Sequence, residues 1–244
     1  MKKKFKILGV IGIRSGSKGI KNKNILPFNG QPLVARILKT ALKSKYINRL
    51  IISTDSKKYA KISKKYGAEI PFLRPKKLSG DKAHELEFIN DLLIKIKKKE
   101  NYVPDLVVRL LVTVPFQITQ DIDIAIGKVL KNKKLDACFV VSEARQHPLK
   151  ALKINTKNNL VDYFSGSSSK IGTKQNRNLF KKAYFRSNIV VSRINTIKKF
   201  KSLAGKKNGY HIIPQSRSID IDTKEDFLFA EYIEKKLLIK KLFF

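Results

Sequence analysis

With a single cysteine, Cys138, the chain cannot form an internal disulfide. Its place in the apolar run ACFVV marks that residue as core filling rather than a nucleophile, and a reducing cytoplasm is the expected home. No apolar stretch approaches the length of a membrane span. The opening MKKKFKILGVIGI has the basic front of a signal peptide, but glycines break its apolar run, no small-residue cleavage site follows and a charged loop comes next. It reads as a buried first strand. Acidic residues are scarce, 19 Asp+Glu against 53 Lys+Arg, giving a formal net charge of +34. Such a balance ordinarily points to nucleic acid or an anionic membrane. Here the lysines are spread over nearly every helical pattern instead of forming one stripe, and no nucleic-acid-binding motif is present. A specific nucleic-acid partner is therefore not expected, and non-specific polyanion binding stands as an alternative function. Internal repeats are absent, as are the phosphate-loop patterns G-x-x-x-x-G-K-[ST] and G-x-G-x-x-G.

What is present begins at the first strand, where the run Ile7 to Ile13 empties into RSGSKGIKNKN. Gly12, Gly16 and Gly19 let backbone approach a ligand closely, and Arg14, Lys18, Lys21 and Lys23 surround the same turn with cations. Such a loop suits an anion with several phosphates, although a solvated basic loop would look similar. At the far end, Ile219-Asp220-Ile221-Asp222-Thr223 alternates at period two, which places both carboxylates on one face of a short apolar strand. Paired carboxylates repel unless cations lie between them, and an oxygen-only pair suits Mg²⁺, which binds one or two carboxylates together with substrate phosphates. Loop and acidic pair would then share one nucleotide. In the competing arrangement Asp222 merely caps the helix beginning near Lys224, with Asp220 exposed.

Between these ends, 244 residues suffice for one large domain with a full core. Strand and helix patterns alternate: strands near 5–13, 48–53, 69–73, 105–112 and 136–142, helices near 31–44, 56–66, 81–99 and 119–131. This predicts an α/β fold with a mainly parallel central sheet, helices on both faces and ligands at the carboxyl ends of the strands. The Arg14 loop, Thr54-Asp55 and Thr113 to Gln117 would all emerge there. Residues 143–183 turn polar and Gly/Ser-rich, with short β-like pieces KALKI and NLVDYF, and read as a hairpin and loop inserted in a single domain spanning 1–244. The chain returns to the sheet with YFRSNIVVS and IDIDT and ends in an amphipathic helix, 224–241. Its Phe227, Phe229, Ala230, Ile233, Leu237 and Leu238 are expected to pack on the core.

Taken in order, IRSGSKGIKNKNI, STDS, YGAEIPFLRP, TVP, QHPLK, FRSN and IDIDT resemble the acylneuraminate cytidylyltransferases, the CMP-sialic acid synthetases and relatives acting on other nonulosonic acids. The resemblance covers nearly the whole chain. It implies a Rossmann-like nucleotide-diphospho-sugar transferase fold, a homodimer formed through the 143–183 insertion, and Mg²⁺-dependent transfer of CMP from CTP to the anomeric hydroxyl of a nine-carbon keto-acid sugar, with release of pyrophosphate. It also implies that Arg14, Ser17, Lys18, Lys23 and Asn24 hold the CTP phosphates, with Arg74 and Thr113 at the nucleotide. Lys150, delivered to a partner's site, and Arg177 would hold the sugar. Asp220 and Asp222 would bind the metal, and Arg14, Lys18, Lys23 and Asp222 would carry catalysis. The chain departs from the family where relatives often read LQPTSPLR: here Leu110 to Gln117 reads LLVTVPFQ, and Asn178 replaces a glutamine. These changes leave the acceptor sugar open. A cytidylyltransferase for a different keto sugar or alcohol, and a non-catalytic basic relative, remain alternatives. None of His84, His147 and His211 is required by the chemistry.

Overall fold

Alternation of side chains along the first strand divides the interior into two cores. In β1 (Ile7–Ile13), Ile7, Ile11 and Ile13 enter one core, while Leu8 and Val10 enter the other. A strand buried on both faces must have helices above and below it. The computed structural model, which describes residues 5–16, 19–168 and 180–243 with side chains of the last helix as far as position 236, shows both layers. The first half of the chain contains β2 (Pro27–Phe28), β3 (Gln31–Pro32), α1 (Leu33–Leu42), β4 (Arg49–Thr54), α2 (Lys57–Lys64), α3 (Glu85–Glu100), β5 (Leu106–Leu110) and α4 (Thr119–Lys131). The second half contains β6 (Ala137–Glu143), β7 (Leu152–Ile154), β8 (Leu160–Asp162), β9 (Tyr184–Arg193), α5 (Ile194–Phe200), β10 (Asn208–Ile213) and α6 (Lys224–Phe243). Helices α1 and α4 pack in the larger core, with Tyr59 of α2 and Ala230 of α6. Helix α3 and Ile197 of α5 close the opposite face.

The central sheet has the order β10-β6-β9-β5-β1-β4. β1 pairs in parallel with β4 and β5, as does β10 with β6, whereas β9 runs antiparallel between β5 and β6. The sheet is thus mainly parallel with helices on both faces, as expected. Antiparallel β9 follows the inserted hairpin β7–β8, whose register runs from Leu152 opposite Asp162 to Ile154 opposite Leu160. The insertion lies between two neighbouring strands, so it stands over the end of the sheet from which β6 leaves.

Two predicted strands are corrected. Residues 69–73 contribute only an isolated bridge between Glu69 and Ile51, because Pro71 has no N–H to continue the ladder. Residues 219–223 form no strand; a backbone bond, Ile221 N–H to the Thr113 carbonyl at 2.8 Å, ties them to the turn after β5. Their alternation survives nonetheless, with Ile219 and Ile221 buried and both aspartates facing out. In α6, Phe227 meets Phe28 edge to face at 5.5 Å and Ile233 packs on the core, but Phe229 is 48% exposed. Leu237 and Leu238 fall beyond the described side chains. Among the described residues no helix is long and apolar enough to cross a membrane.

Cys138 has no exposed surface, and burial pushes its thiol up to about 11. A thiol-alkylating reagent at mildly alkaline pH should leave the native chain unmodified and label one thiol after denaturation. Labelling of the native chain at the rate of free cysteine would show that β6 is not sealed in the core.

Candidate active site

The turn after β1 is held by its own polar groups. Asn24 is 7% exposed and donates to the Arg14 carbonyl at 3.2 Å, so it braces the loop from inside. Asn22, in the left-handed region at φ 59°, accepts from the Tyr59 hydroxyl at 3.1 Å. On the outer side Asp55, just beyond β4, accepts from the Ser15 N–H at 3.0 Å and the Ser15 hydroxyl at 2.7 Å. The Arg14 guanidinium pairs with Asp81 at 2.8 Å. Ser17 and Lys18 lie outside the described residues.

Arg74 lies beneath this loop instead of reaching over it. Its guanidinium bonds the Ser53 hydroxyl at 3.0 Å and the Ser53 carbonyl at 2.6 Å, and rests 4.0 Å from the centre of the Phe88 ring. Burial chiefly, with a smaller push from Arg14 and against the attraction of Asp55, lowers it to about 10. Sequestering a guanidinium costs several kcal/mol. Two charge-assisted hydrogen bonds at about 1.5–3 kcal/mol each, with a cation–π contact of about 1–2 kcal/mol, offset that cost. Arg74 therefore stays charged at neutral pH, buried below the loop and attracted by Asp55.

The two ends of the chain meet at Lys23 and Gly19. The Lys23 ammonium donates to the Ile221 carbonyl at 2.5 Å and lies 3.3 Å from the Asp222 carboxylate. A Cβ at Gly19 would come within 2.5 Å of the Asp222 carbonyl oxygen, so only glycine allows this approach. Asp222 does not cap α6: the cap is Thr223, whose hydroxyl accepts from the Asp226 N–H at 3.2 Å, while the Asp226 carboxylate accepts from the Asp222 and Thr223 N–H groups. These backbone bonds, chiefly that from Thr223, hold the Asp226 carboxyl below its ordinary range. Asp222 is thereby left with 76% of its side chain exposed. Asp220 reaches solvent through a cavity mouth but is walled by protein, and this burial, helped by Asp222, raises its carboxyl above the ordinary range. The Thr113 side chain, Lys23 and the Ile221 backbone pull it partly back.

Asp220 also borders a cavity of about 810 Å³, lined by the insertion segments flanking the β7–β8 hairpin and by Phe229. Arg145, Lys150, Arg186 and Asn188 line it with Asp220. The predicted sugar residue Lys150 thus shares a cavity with the Asp220 of its own chain, where the resemblance had implied delivery to a partner. Arg177 lies outside the described residues. Sequence reasoning assigned no role to Asp81, Arg145, Arg186 or Asn188; the FRSN motif carried the last two without marking which side chains face the cavity. His147 stacks on Phe180 with ring centres 4.8 Å apart, and His211 pairs with Asp121 at 3.0 Å. His147 also lines the cavity, whereas His211 does not.

Among the described residues no three His, Cys, Asp or Glu side chains gather to hold a metal unaided. The donor set Asp220/Asp222 fits a hard cation that draws its other ligands from a bound phosphate. Its mutual repulsion is what such a cation would relieve.

Comparison with known proteins adds an independent line. The sequence model of the cytidylyltransferase family matches residues 8–238. The chain is 30% identical over 233 residues to post-translational flagellin modification protein B of Campylobacter coli, covering 94% of this chain and 95% of that protein. It is 30% identical to the CMP-N,N'-diacetyllegionaminic acid synthase of Campylobacter jejuni subsp. jejuni serotype O:2, covering 93% and 94%. Among solved structures, a CMP:2-keto-3-deoxy-manno-octonic acid synthetase complexed with CTP superposes with a TM-score of 0.69 at 14% identity, covering 95% of this chain and 99% of that one. At that identity the likeness concerns the fold.

Gly19→Ala should push the loop off the Asp222 segment. Affinity for a nucleoside triphosphate, read by calorimetry, is expected to fall by about tenfold or more, with the melting temperature little changed. Unaltered affinity would mean that the contact is not part of the nucleotide site.

Proposed function

The chain belongs to the cytidylyltransferase family, and from that premise we propose that the loop from Arg14 to Asn24, with Asp220 and Asp222, holds CTP while the insertion-lined cavity holds the acceptor sugar. The enzyme is a CTP-dependent nucleotidyltransferase that transfers CMP to a nonulosonic acid. The observation that carries the site assignment is the convergence of Gly19 and Lys23 on residues 221–222. It sets a cationic loop against a carboxylate pair, and Asp220 of that pair lines a cavity with three further cations, Arg145, Lys150 and Arg186.

In this reading Arg14 and Lys23, with Lys18, neutralise the triphosphate and the negative charge that grows on the departing pyrophosphate. Asp220 and Asp222 would hold Mg²⁺, which when bound supplies Lewis-acid polarisation of the phosphate oxygens. The anomeric oxygen of the acceptor forms a bond to the α-phosphorus as the bond from that phosphorus to the β-bridging oxygen breaks, and the hydroxyl proton is released. Lys150, Arg145 and Arg186 would pair with the acceptor's carboxylate, Arg186 through a planar fork that suits a bidentate contact. Asp81 and Asp55 hold Arg14 and Ser15 in place before the nucleotide arrives, which lowers the ordering cost of binding.

A homodimer follows from the same insertion. Ile154 is 68% exposed and Leu160 is 51% exposed on a two-stranded hairpin that cannot be stable as an isolated unit. A second copy of the hairpin is the proposed cover.

Pyrophosphate release with CTP, Mg²⁺ and a panel of nonulosonic acids tests the catalytic reading. Asp222→Ala should lower the rate by about a hundredfold or more, the effect of one well-placed charged group in such a site, in a chain that still folds. Lys150→Ala should raise the KM for the sugar more than that for CTP. Wild-type turnover by the first variant at saturating Mg²⁺ would remove the metal assignment, and equal shifts of both KM values in the second would remove Lys150 from the acceptor. For the dimer, light scattering should report twice the chain mass for the wild type and a single chain for Ile154→Glu. A wild-type monomer would refute the proposed cover.

A further inference from the structure

One arginine is buried where a central strand normally carries aliphatic side chains. Arg109 lies in β5 within the run LVVRL, is 6% exposed, and has Val10 of β1 and Val190 of β9 as its neighbours in the sheet. Burial lowers its pKa, Glu85 counters that effect, Arg186 adds to it and Asp220 opposes it. Its Nε lies 3.0 Å from Glu85 at the start of α3, off the N–H line, so the contact is an ion pair more than a hydrogen bond. Its other arm donates to the Asn188 carbonyl at 3.2 Å.

That carbonyl lies where β9 leaves its register. Val190 stands opposite both Arg109 and Phe139, but the next pair towards the cavity is Arg186 with Val141. Five residues of β9, 186–190, therefore span what three of β6, 139–141, span, and residues 187–189 bulge opposite Val140. Bulges beside active sites re-aim side chains. Here the residues at and below the bulge, Arg186 and Asn188, line the acceptor cavity. The Asn188 amide nitrogen is buried there with no hydrogen-bond partner among the described residues, a donor that awaits a ligand or water.

We infer that Arg109 and Glu85 are positioning residues: the pair holds the β9 bulge by its Asn188 carbonyl and so aims Asn188 and Arg186 at the acceptor. This inference rests on the cavity being the acceptor site. Arg109 itself touches no substrate. It replaces a ladder hydrogen bond that the bulge breaks, and Glu85 balances a charge that the core could not otherwise hold.

The decisive variant is Glu85→Gln with Arg109→Met, which removes both charges together and leaves neither buried without its partner. Arg109→Lys, which keeps the charge without the two-armed reach, accompanies it, with Lys150→Ala as reference. In the pyrophosphate assay the double variant should fold, as judged by circular dichroism and melting, and raise the acceptor KM by about tenfold, the factor one hydrogen bond of ordinary strength supplies, with the CTP KM unchanged. Arg109→Lys should fall between it and the wild type. If Lys150→Ala raises the acceptor KM and the double variant does not, or if the double variant shifts both KM values equally, the positioning role is overturned. If neither variant moves the acceptor KM, the cavity is not the acceptor site and the inference falls with that reading. If the double variant fails to fold, Arg109→Lys decides alone by the same split between KM values.

Discussion

Everything about this site depends on one contact, the Lys23 ammonium against the Ile221 carbonyl and the Asp222 carboxylate. It joins the loop after the first strand to the segment before the last helix, so the cation-rich and the acid-rich parts of the chain face each other only when the sheet is complete. An exposed Lys–Asp pair contributes less than about 1 kcal/mol, and Asp222 is largely exposed. The backbone carbonyl is the stronger half of the contact: the Lys23 side chain is only 12% exposed, and a charged donor on a shielded carbonyl outweighs a screened ion pair. The same geometry requires glycine at position 19. Asp222 itself is left available because Thr223 and Asp226 cap the helix in its place.

Buried and half-buried guanidiniums serve this basic chain as internal braces. Arg74 anchors on Ser53 and Phe88 below the first loop, Arg109 on Glu85 and Asn188 below the cavity, and Arg193 on the Val129 and Leu135 carbonyls at the far end of β9. Each charge is met by a carboxylate, an aromatic face or backbone carbonyls. The core thus tolerates cations that water would otherwise hold. The excess that makes the net charge +34 lies mainly in lysines spread over helices and loops alike, where it carries no directional information. Composition was for this reason a poor guide to a partner.

Strands β1, β4, β5 and β6 were legible because burial on both faces demands unbroken apolar runs, and α1, α2 and α4 because one face of each is apolar. Segment 69–73 misled because its apolar residues satisfy the pattern while Pro71 forbids the ladder. Residues 219–223 misled in the opposite sense, since alternation persisted without strand pairing, so the inferred face for Asp220 and Asp222 survived the loss of the strand. Phe229 looked like core because periodicity cannot tell a core-facing position from a cavity wall. The pairings of Arg14 with Asp81 and of Arg109 with Glu85 had no local signature. They depend on which loops meet above the sheet, and a single chain's spacing does not contain that.

The division of the site between rigid and inserted parts explains why one half of it was readable. The proposed nucleotide half lies at the carboxyl ends of β1, β4 and β5, where backbone geometry forces short loops of restricted composition, and such loops leave motifs. The proposed acceptor half is lined by the insertion that joins β6 to β9, where side chains are freer to answer to a ligand than to the fold. That freedom carries a cost, because residues 187–189 leave the ladder and their polar groups lose regular partners. A buried ion pair is a poor source of net stability, but it is a rigid support. Placed under the bulge, Arg109 and Glu85 would let β9 serve at one end as a core strand and at the other as the floor of the proposed acceptor site.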